Sequence, residues 1–323
     1  MIPFNMAPTA RRIVEQVLAT RSGERALLVT DSDRPASVTE AMAHALSGAG
    51  TELAIMHMAP HLMGGIDPPP HVAAAMYESD IVVLQTSFAT VHTNTVRESL
   101  KRGTRVLDMW GWVEEMMVVG GALADYDEVA RITHRTAEAL TRAQTGRFTT
   151  PDGCDMSFSL AGRPCHSLIG VAREPGQFTA CPDGEAAISP LEGTADGVMV
   201  NPFSIERQDL GFVTEPIRLE VRNGKVTSIM GSPAADRFWS LLEEYGGLAK
   251  NIAEFAIGTN PASRKRATMR EAKKSYGTCH MAVGDSGSLG GDVVAPLHVD
   301  MIYDNPTVWA DDEIILRDGQ IEI

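Results

Sequence analysis

Ala26-Leu27-Leu28-Val29-Thr30 and Ile81-Val82-Val83-Leu84-Gln85 are short apolar runs without polar alternation, and their reading decides the fold. A strand wetted on one face alternates; a strand covered on both faces does not, which marks the central strands of a parallel sheet. Working outward, the pattern predicts strands at 26–30, 52–57, 80–85 and 105–109, with helices at 37–47, 71–78 and 95–101 between them. Strands and helices alternating at this spacing build β-α-β units. Val129, Ile132, Ala137, Leu140 and Ala143 then recur at helical spacing, predicting a long amphipathic helix over 126–144 that closes this half.

Beyond Gly146 to Gly153 the texture changes to short strands and tight turns. Asn223-Gly224 and Asp318-Gly319 each sit between strand-like runs, the pairing that two-residue hairpins favour. Helices are expected here at 234–245 and, shorter, at 264–274. The expected class is therefore α/β: an amino-terminal open parallel sheet domain over 1–148 and a β-rich α+β domain over 149–323.

A chain of 323 residues, 44% of them hydrophobic, exceeds the usual single domain and fits two. The formal net charge is −14, and Arg264-Lys265-Arg266 is only a short basic island, so nucleic acid and anionic membrane are poor partners. Pro3, Pro8, Arg11, Arg12 and Glu15 interrupt any apolar run of secretory length near the amino terminus, and no stretch approaches the ~20 apolar residues of a membrane span. Cys154, Cys165, Cys181 and Cys279 form no Cys-x-x-Cys pair. Reduced thiols in a cytoplasm are the expectation.

The chemistry concentrates between Asn251 and Asp300, which holds Glu254, Glu271, His280, His298 and Asp300. In His298-Val299-Asp300, residues two apart on a strand share a face, so an imidazole and a carboxylate can converge on one ion. Glu254 lies inside the apolar run Ile252-Ala253-Glu254-Phe255-Ala256-Ile257. An unpaired carboxylate buried there costs several kcal/mol, so it must be paired, protonated or bound to metal. His280, in Gly277-Thr278-Cys279-His280-Met281-Ala282-Val283-Gly284, reads equally as a hydrogen-bonded core residue. Glu271, among Arg266, Arg270, Lys273 and Lys274, reads equally as part of a solvated salt-bridged helix face, and Glu185, after Pro182-Asp183-Gly184, as a surface turn residue. Together these carboxylates and imidazoles exceed the need of one structural zinc and suit two adjacent divalent ions, which implies hydrolysis of an amide or related bond.

Gly284-Asp285-Ser286-Gly287-Ser288 lacks the strand-to-helix elbow of a serine hydrolase. The loop 86–94 follows a parallel strand, where open sheets bind ligands; it offers His92 for a substrate-facing or interdomain role, or Thr93 or Asn94 as a plain helix cap. No Gly-x-Gly-x-x-Gly accompanies it, so no dinucleotide site is expected.

The carboxyl half resembles the aminopeptidase T family of dinuclear metallopeptidases, including its short leucyl aminopeptidase-like branch. Pro182-Asp183-Gly184-Glu185, Ala253-Glu254, the strand 277–284 and His298-Val299-Asp300 are similar to that family's Pro-x-Gly-Glu, Ala-Glu, His-x-Ala-x-Gly and closing His-x-Asp segments. The resemblance implies that Glu185, Glu254, His280, His298 and Asp300 ligate two divalent ions (Zn, Co or Mn), with Glu271 beside them as ligand or general base. It also implies a homodimer and a small peptide or amide as substrate, cleaved with a metal-bound hydroxide. The chain is shorter than the typical peptidases, and Gly287 stands where they carry a tyrosine, for which Tyr276 and Tyr303 are the available substitutes.

The same superfamily contains the 2,5-dihydroxypyridine 5,6-dioxygenases, which this chain also resembles around Glu174-Pro175-Gly176 and His298-Val299-Asp300. That resemblance implies a single non-haem Fe(II) on two histidines and one carboxylate, here His280, His298 and Asp300, for ring cleavage. Glu254 occupies the position of their first histidine, and Glu185 and His280 stand where they carry apolar residues. A metal-stabilised binding protein without catalysis is the third class.

Overall fold

The computed structural model describes residues 5–61, 65–90, 93–207 and 209–323. They form two compact units, Met1–Tyr126 with Gly170–Asp183, and Asp127–Ile169 with Gly184–Ile323. The chain thus passes between units after Tyr126, after Ile169 and after Asp183.

The first unit is the parallel sheet the apolar runs foretell. Its strands lie in the order Glu52–Met58, Arg25–Asp31, Ile81–Gln85, Arg105–Asp108 and Phe178–Ala180. Every neighbouring pair is parallel, and Leu28 lies between Ile55 and Val83. Val72 and Met76 from helix Pro70–Tyr77 and Val96 from helix Asn94–Lys101 pack on Leu27, Val29, Val82, Leu84 and Val106. Thr93 caps the latter helix, its Oγ1 accepting from Val96 N at 3.3 Å, while His92 lies outside the described residues. Phe178–Ala180 is a fifth strand that no pattern announced, because three residues are too few to show a period.

The second unit is built on two antiparallel sheets and carries the long helix Tyr126–Arg142 over most of its length. One sheet runs Lys225–Met230, Arg218–Arg222, Asp196–Val200, Asp155–Ser159, Thr145–Thr149, Thr307–Ala310, Glu313–Arg317 and Gln320–Ile321. The other runs Gly211–Phe212, Ser204–Ile205, His298–Tyr303, Cys279–Gly284, Ile252–Gly258, Glu185–Ile188 and His166–Leu168. Both expected hairpins form: Asn223 and Gly224 have φ of 49° and 73°, Asp318 and Gly319 of 48° and 77°, the left-handed pair a type I′ turn requires.

Phe148, Met156 and Phe158 from the first of these sheets meet Phe255, Met281, Met301 and Tyr303 from the second in one core. The ring centroids of Phe255 lie 5.7 Å from Phe148 and 4.9 Å from Phe158, separations at which aromatic pairs add to the burial term. The short helix expected over 264–274 contracts to Met269–Ala272. Upstream of it, Asn260 Oδ1 accepts from the backbone N–H of Ala262 and Ser263, which holds that stretch as a turn, and Thr268 caps the helix through Glu271 N.

Candidate metal centre

Cross-strand partners share a face, and residues two apart along a strand share it too. Glu185 pairs with Gly258, so Gly258, Ala256 and Glu254 stand on its side of the seven-stranded sheet. Ala256 pairs with His280, Ala282 with Asp300, and Gly284 with His298, which brings both histidines and Asp300 to the same face. Phe255, Ile257, Met281, Val283, Val299 and Met301 alternate with them and fill the core behind. Ala256 and Ala282 put only a methyl group on this face, while the bare backbone at Gly258 and Gly284 lies against the carbonyls of Ser275 and Leu297.

Two donor groups result: Glu185, Glu254 and His280, and Glu254, His298 and Asp300, with donor atoms within 4.8 Å of one another in each. Glu254 belongs to both. Its Oε1 lies 3.2 Å from His280 Nε2 and its Oε2 2.9 Å from His298 Nε2. His298 Nε2 is also 3.0 Å from Asp300 Oδ1, and Glu185 Oε2 is 3.7 Å from His280 Nε2. All of these side chains are buried except His298, whose side chain is 30% exposed and forms the open side of the site.

The electrostatics follow from three carboxylates crowded out of water. Burial pushes Glu254 and Asp300 up, but the imidazole hydrogen bonds at Glu254 and the Lys273 ammonium at Asp300 outweigh it and hold both carboxyls below their ordinary range. Burial pulls His280 and His298 down, but the surrounding carboxylates win and raise both. His298 Nδ1 lies 2.7 Å from the Asp285 carbonyl, to which it donates. With that proton fixed, Nε2 faces Glu254 and Asp300: in the charged ring it donates to them, and once it loses its proton its lone pair is turned into the same space, the arrangement metal-binding histidines use.

The donor set fits a divalent cation: imidazole nitrogen and carboxylate oxygen, buried, convergent and rich in negative charge. Burial, then the charges of Glu254 and Glu185, raise the Cys165 thiol well above its ordinary value, so it offers no thiolate.

Glu271 is not in either group. Its Oε2 accepts from Arg264 Nη2 at 2.8 Å and its Oε1 lies 3.3 Å from Arg264 N, so this buried carboxylate is tied to the loop before its helix. Neither substitute tyrosine stands beside the donors in the way the resemblance asked. Tyr303 has the parity of the core face and packs 5.6 Å from Phe148, and Tyr276 Oη accepts from Ile321 N at 3.1 Å. Three residues here escaped the sequence: Glu206, Lys273 and Lys274. Lys273 Nζ lies 2.6 Å from Asp300 Oδ2 and 2.5 Å from Glu206 Oε2; Lys274 Nζ lies 2.8 Å from Glu185 Oε2. Burial and the neighbouring Asp300 push Glu206 up to about 7 against the pull of Lys273. Nothing in the sequence pointed to Glu206, which follows the short strand Ser204–Ile205 beside the Asp300 strand.

The family model of the 2,5-dihydroxypyridine 5,6-dioxygenases (NicX) matches residues 12–323. The chain belongs to this family. Within it, the curated 2,5-dihydroxypyridine 5,6-dioxygenase of Pseudomonas putida is 26% identical over 261 residues, 76% of this chain and 72% of that protein. The solved structure of 2,5-dihydroxypyridine dioxygenase from Pseudomonas putida superposes with a TM-score of 0.82 at 18% identity, covering 98% of this chain and 96% of that one. Wild-type AmpT from Thermus thermophilus superposes with a TM-score of 0.71 at 15% identity, covering 99% of each chain. Both show a shared fold. Of the two families the sequence resembles, the dioxygenase family is thus the one to which this chain is assigned, and aminopeptidase T is met as a structural neighbour. No helix among the described residues is long and apolar enough to cross a membrane.

Proposed function

We propose that this member of the dioxygenase family is a metal-dependent hydrolase that holds two divalent ions on Glu185, Glu254, His280, His298 and Asp300 and cleaves a small peptide or amide. The observation that carries the proposal is the division of Glu254, one oxygen toward His280 and the other toward His298, at the centre of two groups that each hold one imidazole and two carboxylates. Held on these residues, two divalent ions would supply Lewis-acid chemistry for polarising a carbonyl and acidifying water. The protein's part is to fix the donors on strands, to set the His298 tautomer through the Asp285 carbonyl, and to leave the His298 side open to substrate. Glu271, paired with Arg264, is given no proton-transfer role.

A second reading is an Fe(II) ring-cleaving dioxygenase using His280, His298 and Asp300. Its support is the family match and the relative at 26% identity, and by name these favour it over hydrolysis. Against it, neither donor group combines two imidazoles with one carboxylate, the set that reading requires.

Elemental analysis of the purified protein and an activity screen under nitrogen separate the two. The hydrolase is expected to carry two divalent ions per chain and to turn over amide substrates without oxygen. One iron per chain and ring cleavage that stops when oxygen is removed, followed with an oxygen electrode, would establish the dioxygenase instead.

A further inference from the structure

Two lysines adjacent in the chain enter the carboxylate face at different places, and Gly258 makes this possible. A Cβ at Gly258 would lie 2.3 Å from Ser275 O and 2.8 Å from Lys273 O, so the turn 273–275 rests on the bare backbone of the strand opposite Glu185. From that turn Lys273 reaches Asp300 and Glu206, and Lys274 reaches Glu185.

The two contacts differ in kind. Lys273 takes Asp300 Oδ2, leaving Oδ1 to face His298, and its charge is offset by Glu206, which belongs to neither donor group. Lys274 takes Glu185 Oε2, the same oxygen that faces His280 Nε2. An ammonium and a divalent ion that share one buried carboxylate oxygen repel each other, and a largely buried pair is little screened. The Lys274 side chain is 6% exposed.

We propose that Lys274 makes the two ion sites unequal: Glu254, His298 and Asp300 form the tighter site, while Glu185, Glu254 and His280 form a weaker, exchangeable one that loads second. This rests on the two-ion function proposed above and assigns the order of loading to one positive charge. Lys274 is a positioning residue, since it acts through Glu185.

The test uses the full chain stripped with a chelator and titrated with Co2+ alone, following bound Co2+ per chain by equilibrium dialysis and the visible spectrum of each step. The unaltered protein is expected to bind two Co2+ in steps separated by about tenfold or more, and Lys274→Met to tighten the weaker step by about tenfold while moving the tighter one less than about threefold. Lys274→Arg keeps the charge and is expected to keep the weak step weak. Lys274→Gln also removes the charge and carries the same expectation as Lys274→Met if the latter fails to fold. Two Co2+ bound with equal affinity by the unaltered protein, or a second step that Lys274→Met and Lys274→Arg leave alike, overturns the proposal while the two-ion function stands. A single Co2+ bound by every variant at saturation overturns both.

Discussion

On the strand Ile252–Gly258, Phe255 and Ile257 enter a core of aromatic and aliphatic side chains, while Glu254, one residue away, stands among histidines and carboxylates. The two faces of one sheet answer to different rules. The core face is fixed by volume and shape, and its aromatic stack of Phe148, Phe158 and Phe255 sets where the backbone lies. The other face carries charge that apolar packing cannot hold, and it borrows its rigidity from the first. Donors placed on strands this way are held more closely than donors on loops.

The sharpest break between the faces is Glu254→Gln. It removes the donor common to both groups, so ion binding is expected to fall by more than the ~10–100-fold typical of altering a partner one shell out, with the sheet still folded. Elemental analysis alongside a folded far-UV spectrum checks this; a normal ion content would mean that Glu254 is not a ligand. The mirror change, Phe255→Ala, is expected to cost about 3–5 kcal/mol of stability and to leave the number of ions per folded chain unchanged. Denaturant titration with dialysis against metal tests both halves, and loss of ions from the folded fraction would show that the faces are not separable.

The smallest expected effect is the response of the metal-free protein to pH. His280 and His298 are raised, so their contribution to stability is complete below the ordinary imidazole value near 6.5 and fades as pH climbs through the raised values. Glu206, pushed up to about 7, fades over the same approach to neutrality. Glu254 and Asp300, lowered, lose their contribution only as pH falls below the ordinary carboxylate range. The melting temperature of chelated protein is therefore expected to fall over the interval that opens at about pH 6.5, while ion affinity rises because ligation needs the neutral imidazole. A melting temperature that climbs over that interval would contradict the assignment of these groups.

The parallel sheet was legible because burial on both faces leaves an uninterrupted apolar run, as in 26–29 and 81–84, and the hairpins because a left-handed turn needs Asn-Gly or Asp-Gly. Glu254 was legible because charge inside such a run demands a partner. Glu185 was not: after Pro182-Asp183-Gly184 it looks like a turn residue, and only the family resemblance raised it to a ligand. Lys273 and Lys274 were misread for a physical reason. Their spacing from Glu271 suggests a helix face with internal ion pairs, but the helix stops at Ala272, and the turn beyond it directs both ammonium groups to carboxylates brought near by sheet pairing. Register across the sheet is non-local, and nothing in a stretch of chain reports it.

That non-locality has a consequence for how the protein matures. The donors come from four strands, and no strand supplies more than the two of His298 and Asp300. An unfinished chain therefore owns no local chelate worth the name, and a slip of any one strand by a single residue would turn its donors into the core. On the function proposed, cation uptake would be a late event that only a correctly woven sheet can perform, and metal occupancy would serve as a certificate of assembly.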